Sequence, residues 1–299
     1  MNGFIVVDKP SGMTSHDVVN IVRRITCQKR VGHTGTLDPF ATGVLPMALG
    51  EATKAIPFLD EACKEYRAVM MLGETTDTQD CTGIAVAHGD WRNITPDDLN
   101  RVVDLFTGRV SQLPPMFSAL KHNGVPLYKL ARRGEEIIRN PREIEVFSLV
   151  IDRIDFPRVA FTVRCSRGTY VRTLAHDMGG ELGCGAHLVQ LQRTASGPFQ
   201  LNGALPLERL ASLAQSGGMD AAVISPYAAL NHLIDLEVSE SGREKVAHGI
   251  VPQPDEFTGD PEALSPGKLV RISFEKRLLA VAEVVQEASR SLKLVRVFN

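Results

Sequence analysis

Val159, Phe161, Val163 and Cys165 alternate with Ala160, Thr162, Arg164 and Ser166, the period-two pattern of a strand buried on one face only. Such a strand cannot stand alone: its apolar side needs a covering layer, which commits the chain to a sheet packed against other elements. Further strands are predicted at Phe4–Val7, Val44–Leu49 and Lys64–Leu72, the first ended by the turn Asp8-Lys9-Pro10-Ser11-Gly12. Helical stripes lie between them. Val18, Ile21, Val22 and Ile25 share one helical face behind Thr14 and Asp17, which have capping-box spacing. Leu99, Val102, Val103 and Phe106 follow the helix start Thr95-Pro96-Asp97-Asp98, and Gly50 opens a short helix through Leu59. After the turn Arg167-Gly168-Thr169, the residues Val171, Leu174, Met178 and Leu182 form another stripe, which puts Tyr170 and Arg172 at a strand-to-helix junction.

The densest turn sequence is GHTGTLDPFATG, Gly32 to Gly43, with three glycines, three threonines and a single acid, Asp38. Glycine tolerates positive φ, threonine can bond nearby backbone, and Pro39 fixes the chain just after the carboxylate. Local composition alone favours a surface turn with an Asp-Pro corner; the functional alternative is a carboxylate presented for chemistry. Arg172 is a candidate partner, because the end of a strand can present a side chain rigidly. A carboxylate beside an arginine is held in its charged form and can act as nucleophile or base.

A net charge of −2 and a pI near 6.5 exclude a global positive field, so nucleic-acid binding has to come from a local patch. One candidate runs from Lys121 to Arg142, where six Lys or Arg face two Glu with His122 and Tyr128 interleaved; a solvated insertion is the other reading. Cys27, Cys63, Cys81, Cys165 and Cys184 are odd in number, dispersed and without a C-x-x-C pair, against a disulfide framework and a thiolate zinc site. No run approaches the roughly 18 apolar residues of a membrane helix, so a cytoplasmic protein is expected. Neither a phosphate-binding G-x-x-x-x-G-K-[ST], nor G-x-G-x-x-G after a strand, nor H-E-x-x-H occurs, and no metal or organic cofactor is expected. From Leu233 on, the strand-like segments Lys268–Phe274, Leu278–Val285 and Leu292–Phe298 suggest a compact β module.

Five ordered motifs, DKPSGMTS (Asp8 to Ser15), GHTGTLDPFATGVLP (Gly32 to Pro46), KEYRA (Lys64 to Ala68), RGTYVRTLAHDMG (Arg167 to Gly179) and GAHLVQLQR (Gly185 to Arg193), resemble those of the bacterial tRNA pseudouridine synthases of the TruB family. The resemblance implies an α+β fold: a mixed, largely antiparallel central sheet flanked by helices and loops, plus a small C-terminal β-barrel-like PUA-type domain. It implies a catalytic domain over 1–232, a basic RNA-binding insertion over about 109–145 and the RNA-binding module over 233–299. The implied activity is isomerisation of uridine 55 in the T-loop of tRNA, without cofactor, by a monomer. By the same resemblance Asp38 is the catalytic nucleophile or base, Tyr66 stacks on the flipped base, and Arg172 pairs with Asp38. Tyr170 and Leu191 line the pocket, Lys9 supports its floor, and His33 fills the gap left in the RNA.

Two rivals remain at this level. A non-catalytic RNA-binding protein could use the same basic surface, although nothing in that role demands Asp38. A carboxylate-based glycosidase or nucleosidase would need a second acid at a fixed separation; Asp77 and Asp80 are available, but their Thr/Asp-rich surroundings read more simply as a capped turn.

Overall fold

The computed structural model describes residues 1–60, 63–258, 264–287 and 290–298. Strand β1 (Gly3–Lys9) turns into α1 (Ser15–Thr26), where Thr14 Oγ1 accepts from Asp17 N at 3.1 Å and Asp17 Oδ2 accepts from Thr14 N at 3.0 Å. The expected capping box is therefore complete. Strands β2 (Val31–His33) and β3 (Thr42–Leu49) flank the glycine-rich loop, and the helix predicted after β3 is a 3-10 segment, Gly50–Phe58. Pro57 lies inside that segment and has no N–H to donate to a helical ladder. Next come β4 (Cys63–Leu72), the small hairpin β5 (Glu74–Thr76) and β6 (Ala85–His88), α2 (Pro96–Leu105) and β7 (Gly108–Gln112). A second small hairpin, β8 (Lys121–His122) and β9 (Val125–Pro126), and helix α3 (Leu127–Ala131) lie between β7 and β10 (Arg142–Asp155). The N-terminal half closes with β11 (Arg158–Ser166), α4 (Val171–Glu181), β12 (Ala186–Ser196) and β13 (Phe199–Gln200).

These strands form one mixed sheet in the order β1-β3-β12-β4-β11-β10-β7, with β2 on β3 and β13 on β12. All its ladders are antiparallel except the short β3–β12 contact, where Thr42 and Gly43 face Gln192 and Arg193. The fold is thus α+β with a largely antiparallel central sheet. On β11 the four alternating residues Val159, Phe161, Val163 and Cys165 are fully buried, as a strand with one covered face requires. Its neighbour β4 buries Tyr66, Ala68 and Met70 into the same core, where α1, α2 and α4 supply Val18, Leu99 and Leu174.

After the short helices α5 (Leu207–Gln215) and α6 (Pro226–Ala229), the C-terminal module contains β14 (Ile234–Glu237), α7 (Glu240–Ala247), β15 (Leu269–Phe274), β16 (Arg277–Glu287) and β17 (Arg290–Val297). Its sheet runs β14-β15-β16-β17 with β14 parallel to β15, and among the described residues no pairing closes it into a barrel. The module keeps a core of its own around Val270, Ile272 and Val284. It also shares one with the N-terminal half: Leu278 and Val281 of β16 pack with Phe4, Val44, Phe199 and Leu230. Asp235 reinforces the junction by accepting from Tyr227 Oη at 2.6 Å and Ser273 Oγ at 2.7 Å, while the Arg271 guanidinium lies 4.0 Å over the Tyr227 ring. Among the described residues no helix is long and apolar enough to cross a membrane.

The shared core makes the two halves unfold together. Leu278→Ala is expected to cost about 2–5 kcal/mol and to leave denaturant unfolding a single transition seen by every probe; two resolved transitions would show the cores to be independent.

Candidate active site

Between β2 and β3 the loop carrying Asp38 is held by side chains from other segments. The Ser15 hydroxyl donates to Leu37 O at 3.1 Å and accepts from Leu37 N at 2.8 Å. Lys9 Nζ donates to Pro39 O at 3.1 Å and to Pro10 O at 2.7 Å, and Leu37 is buried in the main core. One of the loop's glycines is demanded by contact: Gly43 has φ +98° and a Cβ there would sit 2.3 Å from Arg193 O. At that point the loop is pressed against the backbone of β12.

From this loop the Asp38 carboxylate meets Arg172, the second residue of α4. Arg172 Nε donates to Oδ2 at 2.8 Å and Nη2 to Oδ1 at 3.2 Å, the two-pronged geometry that suits a guanidinium to a carboxylate. The side chain of Arg172 is 3% exposed against 32% for that of Asp38, so the cation is sealed while the anion opens on one side. Arg172 is itself held from behind: Nη1 donates to Thr78 O at 2.6 Å and Nη2 to Phe117 O at 2.8 Å, and Nη1 lies 3.5 Å from Asp80 Oδ2. Asp80 is buried, and its Oδ1 accepts from Thr78 Oγ1 at 2.8 Å, Thr82 Oγ1 at 2.6 Å and Thr82 N at 2.9 Å.

Two carboxylates thus share one guanidinium. Burial pushes the Asp38 carboxyl above its ordinary range, the Arg172 guanidinium opposes the rise, and the Asp80 carboxylate adds to it. A carboxylate raised in this way is more basic than a solvated one while it remains ionised.

The other residues singled out in the sequence gather around this pair to different degrees. Tyr66 on β4 is buried, and burial pushes its phenol up to about 12. Tyr170 caps the start of α4 half-buried; burial raises its phenol too, in the fields of Arg172 and Asp38. Lys9 is fully buried on β1 and drawn down to about 8 by burial, with the Asp38 charge opposing. Leu191 is buried on β12 opposite Ala68 of β4, in the core that also holds Tyr66 and Leu37. His33 stands at the loop entry, half-buried, opposite Met47 of β3.

Three residues are more involved than the sequence indicated. Asp80 does cap its turn as expected, but it also faces Arg172. Gln112, buried at the end of β7, clamps the backbone of Tyr170: its Nε2 donates to Tyr170 O at 3.1 Å and its Oε1 accepts from Tyr170 N at 2.9 Å. Arg193 is the third; its guanidinium is fully buried beside the loop.

The family model described as "TruB family pseudouridylate synthase (N terminal domain)" matches residues 23–171, and that described as "tRNA pseudouridylate synthase B C-terminal domain" matches residues 172–235. The chain is 60% identical over 304 residues to tRNA pseudouridine synthase B of Geotalea uraniireducens (strain Rf4), covering all of this chain and 98% of the relative. It is 56% identical over 304 residues to the protein of that name from Geobacter sulfurreducens (strain ATCC 51573 / DSM 12127 / PCA), covering all of both. Among solved structures it is similar to one described as a Cbf5-Nop10-Gar1 complex, with TM-score 0.78 and 30% identity over 99% of this chain and 85% of that one. A second, an H/ACA RNP bound to a substrate RNA containing 2'-deoxyuridine, gives 0.76 and 28% over the same shares.

The raised Asp38 pKa fixes the sign of an acid limb. A carboxylate that must be ionised to act is fully active above its pKa, and activity falls as pH drops through it. The limb is therefore expected above the ordinary carboxylate value of about 4. Asp80→Asn removes a neighbouring negative charge and moves it to lower pH. Rate profiles of the two proteins check both statements, and a wild-type limb at or below about 4 would contradict the first.

Proposed function

The chain belongs to the TruB family of pseudouridylate synthases, and we propose that it converts uridine 55 in the T-loop of tRNA to pseudouridine with Asp38 as the catalytic nucleophile or base. The observation that carries this reading is the asymmetry of the ion pair: a sealed Arg172 holds, in two-pronged geometry, a carboxylate that is 32% exposed. A structural ion pair has no need of an open anion, whereas a reacting carboxylate must be reachable from the substrate side.

In the reaction the N1–C1′ bond breaks and a C5–C1′ bond forms, with no net change in composition. A stacked base hides those atoms, so the uridine has to leave the helix at a cost of about a few kcal/mol. Tyr66 would stack on the extruded base beside Leu191 and Tyr170, and His33 would fill the space left in the RNA; both contacts offset part of that cost. Arg172 keeps Asp38 oriented, and Lys9 holds the Pro39 carbonyl just behind it. Exposed Lys121, Lys129, Arg132 and Arg133 between β7 and β10 offer the positive surface that an RNA backbone needs, and the C-terminal sheet would extend it. Action as a cytoplasmic monomer completes the reading.

The glycosidase rival loses support because Asp80 is already committed to Arg172 and to two threonine hydroxyls, and Asp77 accepts from Ile84 N at 2.8 Å. Neither acid is placed as a free second catalyst.

Incubation of an unmodified tRNA transcript with the protein, followed by mapping of pseudouridine by mass spectrometry, tests the proposal. Conversion at position 55 is expected from the wild type, and none from Asp38→Asn, which should still bind tRNA within about threefold. Full conversion by the variant would sink the mechanism; no conversion by the wild type would leave RNA binding as the function.

A further inference from the structure

Arg193 lies in the short stretch, Gln192–Arg193, where β12 pairs with both β3 and β4: its backbone faces Gly43 of β3 on one side and Tyr66 of β4 on the other. Its side chain is fully buried. Nε donates to Val44 O at 2.7 Å, Nη2 to Gly35 O at 3.1 Å and Nη1 to Thr36 O at 3.5 Å. The three carbonyls bracket Asp38, two before it and one after. Tyr66 is the cross-strand partner of Arg193 on β4, and the Arg193 charge opposes the burial that raises the Tyr66 phenol.

Burying a cation is costly unless its donors are met. A purely structural filler at this position would be better served by an apolar side chain. What a guanidinium supplies is donors pointing in several fixed directions from one plane, which a lysine ammonium on a flexible stem cannot reproduce. Here those directions run to both ends of the Asp38 loop, from a position directly across the strand from Tyr66. Gly43 allows the approach, since any side chain there would collide with Arg193 O.

We propose that Arg193 is a positioning residue for the reaction, tying the Tyr66 phenol and the Asp38 loop into one frame so that the stacked base and the carboxylate meet in register. It acts on two quantities. It fixes the geometry of the loop ends, and its charge favours negative charge on the Tyr66 oxygen, opposing the burial that otherwise raises the phenol. The role rests on the reading of Asp38 and Tyr66 given above.

Two measurements separate this role from simple packing. In single-turnover assays on an unmodified tRNA transcript, Arg193→Lys is expected to be at least about tenfold slower, with tRNA affinity within about threefold of wild type. On a Tyr66→Phe background the same substitution should cost clearly less, because part of its effect runs through the phenol. Independently of turnover, 3-fluorotyrosine placed at position 66 and followed by 19F NMR should titrate about one pH unit higher in Arg193→Met than with Arg193 present. Arg193→Lys serves the same titration, with a smaller upward shift, if the methionine variant does not fold. Additive rate losses together with an unmoved 19F titration would overturn the proposal. Failure of the wild type to make pseudouridine would overturn the functional reading instead, while the 19F shift would still report the Arg193–Tyr66 link.

Discussion

A carboxylate packed against the protein interior needs a cation to keep it ionised, and that cation must itself be kept in place. The Arg172–Asp38 pair answers the first need and imposes the second. A buried guanidinium has five donors to satisfy, and Arg172 meets them with the Asp38 carboxylate, two backbone carbonyls and Asp80. Those partners come from the loop after β2, the turn between β5 and β6, and the segment after β7. The strand order that looks tangled along the chain is what brings these distant segments to the start of α4.

This dependence explains which parts were legible in the sequence. The alternation on β11, the capping box of α1, the Pro-Asp-Asp start of α2 and the junction at Tyr170–Arg172 are local patterns, and each fixes its own element. Asp80 is different. The pattern Thr78-x-Asp80-x-Thr82 describes a capped turn, and the turn is there; that its second oxygen faces an arginine 92 positions later depends on tertiary structure alone. Gln112 and Arg193 were invisible for the same reason, since an amide or a guanidinium in a strand looks like surface until the segments packed over it are known: the start of α4 for Gln112 and the Asp38 loop for Arg193. The β16 residues Leu278 and Val281 read as apolar whichever core they enter, so the shared junction with the N-terminal half carried no sequence signal either.

The glycine-rich loop shows how composition can mislead in a more instructive way. Glycine lowers steric barriers, and in isolation that means conformational freedom. Inside the protein the absent side chain of Gly43 lets the backbone sit against Arg193 O, so the same residue type allows a segment to be clamped. The entropy of ordering that segment is met during folding, through Ser15, Lys9 and the buried Leu37.

The two arginines of the site divide the electrostatic work by what they bond. Arg172 faces a charge, so its pull on the carboxylate is strong and opposes the burial and the Asp80 charge that raise Asp38. Arg193 bonds backbone carbonyls, which are neutral, and therefore leaves its positive charge only partly compensated beside Tyr66. An uncompensated cation stabilises whatever negative charge develops near it. The resting arrangement is therefore biased toward negative charge on the Tyr66 oxygen, against the burial that raises the phenol.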